Sequence, residues 1–357
     1  MKVVNFFADQ FAFLAFLAMT LTAAVFAETV AVDPLLGEPY RVHAIKAGEF
    51  TANLVEYPFG STPRVDAQDP AQDSISQGKT PRGVILYLHG YNDYFFQTNT
   101  AEKADSAGFA FFAIDLHNYG RSIREWNEHC NMHDIREFYP EIDSAVAMAR
   151  RMTSDTLPFI LMGHSQGGLI MSLYSNDRPD GKFSAVVLNS PFYEFNVGWF
   201  LKNIGVPVVS VLGKYFPDKS IEGSTNPNYN KSINKSELGE WDISPKAKDM
   251  NPKRQSFSWI RAIHQGQSKL HDGLNIKYPV LLMYSDCSVD DEEYVDGYNR
   301  CDGILNVDDI KRYGASLGKN VKMAEIPGAL HDVFLSRESV RDNAYNTTFE
   351  FIDSVLK

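Results

Sequence analysis

Short apolar runs at about residues 83–88, 109–115, 157–163, 184–190, 279–284 and 320–326 recur along this chain. Each is strand-length and apolar throughout rather than alternating, as in a strand buried on both faces. Stretches of helical period lie between and after them, at about 97–107, 133–154, 166–176, 306–317 and 338–356. This alternation predicts an α/β class, a mostly parallel central sheet flanked by helices. An earlier stretch, 40–58, reads as a hairpin that adds antiparallel strands to one edge.

Residues 192–275 interrupt the alternation. Their first part is aromatic, with Phe192, Tyr193, Phe195, Trp199 and Phe200 close together. Residues 224–249 are rich in Asn, Ser, Lys and Pro and read as exposed loop. Residues 63–81 read as a polar surface loop. No internal repeat is present. Gly314, Gly318 and Lys319 have the wrong spacing for a phosphate loop and mark a helix end.

The N-terminus stands apart from this pattern. Lys2 precedes an apolar stretch from Phe11 to Ala27 that ends Ala24-Val25-Phe26-Ala27-Glu28. Small or apolar residues at Val25 and Ala27 fit signal-peptidase cleavage, so residues 1–27 read as a signal peptide. The alternative is an uncleaved anchor, because about 17 apolar residues is the lower limit for a span. A cleaved signal places the mature domain, 28–357, in a secreted or periplasmic setting.

Composition narrows the partners. A net charge of −11 argues against nucleic acid or an anionic membrane surface as a general partner. Of three cysteines, Cys287 and Cys301 flank an acidic insertion and Cys130 stands alone. Export permits a disulfide between the first two; the alternative is three free thiols. The acidic run from Asp290 to Glu293 lacks calcium-loop spacing and reads as a solvated face.

The chemistry centres on Ser165. The apolar run ending at Met162 leads into Gly163-His164-Ser165-Gln166-Gly167-Gly168, and a helix follows. Gly-x-Ser-x-Gly between strand and helix is the nucleophile-elbow pattern. The two flanking glycines let the chain turn sharply so that the hydroxyl stands clear. The helix aims its first N–H groups at developing negative charge. Such a serine needs a base and a carboxylate to orient that base. His331 lies in a Gly-containing loop after the last strand run, where a base would sit. His264 and His271 fall in a polar helical stretch and read as surface or cap residues, and His164 as a packing residue. Two carboxylates are open: Asp286, at a strand end, and Asp302, beyond the acidic insertion. Asp308 and Asp309 read as first-turn helix acids.

Together, His89-Gly90-Tyr91-Asn92-Asp93, residues 115–122, residues 163–168, Asp302-Gly303-Ile304-Leu305 and residues 328–332 resemble the monoacylglycerol lipase and serine aminopeptidase-like branch of the α/β-hydrolases. The resemblance covers roughly residues 45–355. It implies the α/β-hydrolase fold, with residues 192–275 as a cap inserted over the serine. It implies a triad of Ser165, Asp302 and His331, since in this family the acid precedes an apolar pair and a helix cap. The acidic insertion before Asp302 departs from the usual pattern. Oxyanion donors would be the backbone N–H groups of Tyr91 and Gln166. Phe192, Tyr193 and Trp199 become candidate substrate contacts. The implied reaction is hydrolysis of a carboxylic ester, with lipid monoesters of monoacylglycerol or lysophospholipid type leading. It requires no metal or organic cofactor. The cap would touch a membrane or micelle transiently. A serine aminopeptidase is the rival enzyme, and would need carboxylates such as Glu194 or Asp242 near the substrate amine. A non-catalytic binding protein on a hydrolase scaffold is the rival class, which a fluorophosphonate probe would expose.

Overall fold

Apolar strands dictate the architecture. The computed structural model describes residues 30–62, 80–222, 227–250 and 254–357. The proposed signal peptide and most of the 63–81 loop lie outside the described residues. The strands are β1 (Val30–Val32), β2 (Arg41–Ala47), β3 (Phe50–Tyr57), β4 (Gly83–Leu88), β5 (Phe109–Asp115), β6 (Phe159–His164) and β7 (Ala185–Asn189). They continue with β8 (Ser220–Glu222), β9 (Arg254–Ser256), β10 (Val280–Ser285) and β11 (Val321–Ile326). Nine of them form one sheet in the order β1-β2-β3-β5-β4-β6-β7-β10-β11. From β5 to β11 every pairing is parallel, while β2–β3 and β3–β5 are antiparallel. The hairpin read from residues 40–58 is therefore the antiparallel edge.

Side chains alternate between two apolar layers. Val84, Leu86 and Leu88 of β4 join one core, and Ile85 and Tyr87 join the other. The helices are α1 (Thr98–Ser106), α2 (Tyr139–Met152), α3 (Gln166–Asp177), α4 (Val206–Leu212), α5 (Pro227–Ile233), α6 (Phe257–His271), α7 (Val307–Gly314) and α8 (Glu338–Val355). α2, α3, α6 and α7 cover the first face through Ile142, Leu169, Ile263 and Ile310. α1 and α8 cover the second through Ala101, Ala104, Ala344 and Phe351. Ala31–Lys357 forms one compact unit. Parallel strands that all run the same way present their C-terminal ends along one edge, where ligands bind in open α/β sheets.

The insertion between β7 and β10 contains α4, α5, α6 and the small β8–β9 ribbon. Here residues 227–249 correct the sequence reading of 224–249 as an exposed loop. Tyr229, Ile233, Trp241 and Ala247 are buried in a cluster with Tyr94, Phe96, Leu330 and Leu335. Lys235, Ser236, Glu237, Glu240 and Asp242 between them are exposed, while Asn230 and Ser232 are buried, and this polar majority masked the four apolar anchors in the composition.

Candidate active site

Ser165 sits at the end of β6, as the residue before α3, with φ 52° and ψ −117°. That backbone is strained for a non-glycine residue. It is held because its neighbours leave no alternative. A Cβ on Gly163 would lie 2.5 Å from the Gly167 carbonyl oxygen, and one on Gly167 would lie 2.3 Å from the His89 carbonyl oxygen. The loop after β4 also passes close by, since a Cβ on Gly90 would lie 3.1 Å from Ser165 Cβ. Both glycines of the elbow are therefore required by close approach of backbone.

His331 lies in the loop after β11 and reaches across the edge of the sheet. Its Nε2 is 2.9 Å from Ser165 Oγ, and its Nδ1 is 2.9 Å from Asp302 Oδ2. A carboxylate only accepts, so Nδ1 carries the proton and Nε2 presents its lone pair to the serine hydroxyl. Asp302 is fully buried. Its other oxygen accepts from the N–H groups of Ile304 (2.9 Å) and Leu305 (2.8 Å). The structure thus brings together Ser165, His331 and Asp302, a relay able to remove a proton from the hydroxyl and store it on a stabilised imidazolium.

Asp286 stands outside that relay. It is exposed, and its Oδ1 accepts from Gly328 N–H at 2.9 Å, fastening the end of β10 to the loop that carries His331. Asp302 is placed by the acidic insertion, which returns to its starting point. Asp302 N–H donates to the Cys287 carbonyl and Val289 N–H donates to the Asp302 carbonyl, both at 2.9 Å. A disulfide joins Cys287 to Cys301 across the same two segments. Cys130 is free and buried.

Further residues tie the base loop to the elbow and were not legible beforehand. Asn189, at the end of β7, accepts from Ser165 N–H through its carbonyl (3.0 Å). Its side-chain amide donates to Asp332 Oδ1 (2.6 Å) and accepts from Val333 N–H (3.1 Å). Gln97 donates to the other oxygen of Asp332 at 3.1 Å. Tyr229 Oη accepts from Asp332 N–H (3.2 Å), and its ring stands edge-on to His331. Burial raises the Tyr229 phenol well above its ordinary value. His164 is a buried packing residue, its Nδ1 3.2 Å from the Asn189 carbonyl. Burial lowers its pKa, so it stays neutral beside His331. The loop after β4 is clamped to the cap. Asn92 exchanges two hydrogen bonds with the backbone of Asp249, and Lys248 pairs with Asp93 at 3.2 Å. Gln166 is the first residue of α3, so its N–H has no acceptor within the helix.

A cavity of about 660 Å³ lies between the cap and the loop that follows Asp302. Phe192, Phe195, Val206, Val209, Trp259 and Leu305 form its apolar wall. Three of these residues are one hydrogen bond from the site. Phe192 N–H donates to the Ser165 carbonyl (2.9 Å), Trp259 Nε1 to Gln166 Oε1 (2.8 Å) and Leu305 N–H to Asp302.

Of the three expected substrate contacts, Phe192 lines this cavity, and Tyr193 and Trp199 do not. Tyr193 is fully buried away from the cavity, its hydroxyl 2.8 Å from Ser172 Oγ. Trp199 is 73% exposed on the outside of the cap. Sequence proximity to Phe192 could not reveal these directions, because Phe192 and Phe195 line the cavity while Tyr193 between them is buried elsewhere and Trp199 faces solvent. Of the other cap-region residues, His264 bonds Ser210 Oγ at 3.1 Å and His271 bonds the Tyr193 carbonyl at 2.7 Å. Glu194 contacts Tyr313, and Asp242 is an exposed partner of Lys235. Neither lines the cavity, whereas Glu222, Asp290 and Glu292 do. Among the described residues no group of three metal-binding side chains occurs.

A family model described as "Serine aminopeptidase, S33" matches residues 79–338. The chain is 33% identical over 143 residues to a monoacylglycerol lipase of Mycolicibacterium smegmatis. That stretch covers 40% of this chain and 49% of the relative, about half its length. It is 22% identical to phospholipase YtpA of Bacillus subtilis, over 77% of this chain and 97% of that one. A soluble variant of monoglyceride lipase from Saccharomyces cerevisiae, solved with a substrate analog, superposes with a TM-score of 0.63. It covers 87% of this chain and 94% of its own at 15% identity, which speaks to the fold alone.

Proposed function

This chain belongs to the serine aminopeptidase S33 family, an α/β-hydrolase family, and from that premise we propose that it hydrolyses carboxylic esters of lipid monoester type. The observation that carries the proposal is an aligned Ser165–His331–Asp302 relay beside an apolar cavity of about 660 Å³. In this reading Ser165 Oγ attacks the ester carbonyl while His331 Nε2 takes the hydroxyl proton. Asp302 holds the imidazole tautomer and stabilises its cation. The N–H groups of Tyr91 and Gln166 receive the oxyanion. His331 gives its proton to the departing alcohol. It then takes one from water, whose oxygen attacks the acyl-enzyme, and returns it to Ser165 Oγ as the acyl C–O bond breaks and the acid leaves. Phe192 and Trp259 contact the acyl chain.

The relatives described as a monoacylglycerol lipase and a phospholipase support ester over peptide chemistry. Glu222, Asp290 and Glu292 on the cavity wall support a second reading, in which an amine is held there and an aminoacyl bond is cut. A panel of monoacylglycerols, lysophospholipids, short esters and aminoacyl amides separates the two. The first reading predicts the highest kcat/KM on monoacylglycerols or lysophospholipids, abolished in Ser165→Ala. Preferred turnover of aminoacyl amides would overturn it.

We also propose export, with cleavage near Glu28, and transient contact of the cap with a lipid surface. The disulfide supports the first. Support for the second comes from the run 199–216, in which Trp199, Phe200, Leu201, Val208, Val211 and Phe216 are all exposed. Among the described residues no helix is long and apolar enough to cross a membrane.

A further inference from the structure

The two assigned oxyanion donors come from different elements, and one cap side chain touches both. Trp259 stands in the first turn of α6, where Ser256 Oγ accepts its N–H at 3.1 Å. Its indole N–H donates to Gln166 Oε1 at 2.8 Å. Gln166 Nε2 in turn donates to Tyr119 Oη at 2.9 Å, and Tyr119 donates to the Cys130 carbonyl at 3.3 Å. Gln166 and Tyr119 are fully buried and Trp259 nearly so. Both ends of the Gln166 amide are therefore fixed, one from the cap and one from the loop after β5. The indole ring also lies 4.5 Å from the ring of Tyr91, centroid to centroid. Phe192 and Phe195 pack against it from the cavity side, at 6.2 and 6.1 Å.

We propose that Trp259 is a positioning residue that couples the cavity to the oxyanion site. Its N–H anchors the residue after the nucleophile, and its ring braces the residue that supplies the second donor. An acyl chain in the cavity meets this side chain directly, so filling the cavity steadies the donors. The proposal rests on the assignment of Tyr91 and Gln166 as oxyanion donors. Oxyanion donors act only when they are aimed before the charge develops, and misplacement by about 1 Å can cost ~10²-fold in rate. A side chain that merely walls the cavity would act otherwise. It would contribute binding that grows with acyl length.

Trp259→Phe keeps an aromatic wall and removes the donor. Steady-state kinetics on p-nitrophenyl esters from acetate to decanoate supply the test. The expected result is a kcat loss of about tenfold at every chain length, with KM within about twofold, a partial misplacement on the scale above. Gln166→Leu should show the same loss, and the double variant should be no worse than either single one. Circular dichroism and thermal unfolding check that the fold is kept; should Trp259→Phe not fold, Gln166→Leu alone reads the same kcat loss. An unchanged kcat, or a KM that rises with chain length while kcat holds, overturns the proposal. Full activity in Trp259→Phe beside an inactive Ser165→Ala removes only this inference. Activity surviving in Ser165→Ala removes the underlying reading.

Discussion

At Ser165 the backbone is held at φ 52°, a conformation that costs of the order of 1–3 kcal/mol for a non-glycine residue. Gly167 makes that turn achievable, because the carbonyls of Leu88, at the end of β4, and of His89 after it would lie 2.5 and 2.3 Å from any Cβ there. Gly167→Ala should therefore lower stability by about 1–3 kcal/mol, as overpacking does, read as a fall in denaturant midpoint. An unchanged midpoint would mean that the elbow can relax. The carboxylates separate just as cleanly. Asp302→Asn should lower kcat by about 10⁴-fold, the loss seen when a triad loses its orienting carboxylate. Asp286→Asn should have a small effect, since Asp286 only accepts from Gly328 N–H. The reverse order, measured by steady-state kinetics on one ester, would reassign the acid. Ser165 and His331 were legible because each lies in a short local pattern. Asp302 needed the context that follows it. That Tyr193 and Trp199 lie off the cavity wall was not legible, because the direction of a side chain in an irregular cap is set by packing.

Among the elements, the acidic insertion shows how local closure serves a distant residue. The Cys287–Cys301 bridge closes a loop of about 15 residues, for which chain entropy gives roughly 3 kcal/mol. Val289, Tyr298 and Cys301 bury a small cluster inside it. Reduction, or Cys301→Ser, should lower kcat more than it disturbs the circular dichroism spectrum, because Asp302 follows directly. Full activity of the Cys301→Ser variant would contradict this. His117, just after β5, offers a pH test of a different element. Burial alone would lower its pKa, but hydrogen bonds and charge from Glu137 and Glu141 outweigh that and raise it from 6.5 to about 9. The fold therefore favours the imidazolium. Its contribution is complete below about pH 6.5 and is lost as pH rises through 9. The stability gap between the wild type and His117→Gln should be largest near pH 6 and shrink by about pH 9.5. A gap that stays constant across chemical denaturation series would contradict it. The parallel strands were readable as elements because burial on both faces makes them apolar throughout. α5 was not, since its buried Tyr229 and Ile233 are separated by polar residues.

For the whole molecule, a net charge of −11 and an exposed apolar run on the cap point to neutral lipid surfaces rather than anionic ones. The chain should float with zwitterionic phosphatidylcholine vesicles. Trp199→Glu with Phe200→Glu should reduce that binding several-fold while leaving hydrolysis of soluble short esters near wild type. Equal flotation of the variant would remove the cap as the contact. The alternation of strands and helices made the sheet and its C-terminal edge readable from the sequence. Which insertions fold over that edge, and which residues they bury, depended on contacts between segments far apart in the chain, such as Trp241 Nε1–H donating to the Leu335 carbonyl at 2.9 Å and Ser244 N–H donating to Tyr94 Oη at 2.8 Å. The central claim, that this edge is a serine-hydrolase active site, is tested most directly by a fluorophosphonate probe with peptide mapping. The expected result is one labelled peptide carrying Ser165, and no labelling of Ser165→Ala with an unchanged circular dichroism spectrum. A label on another residue, or a folded Ser165→Ala variant that still reacts and turns over ester, would contradict it.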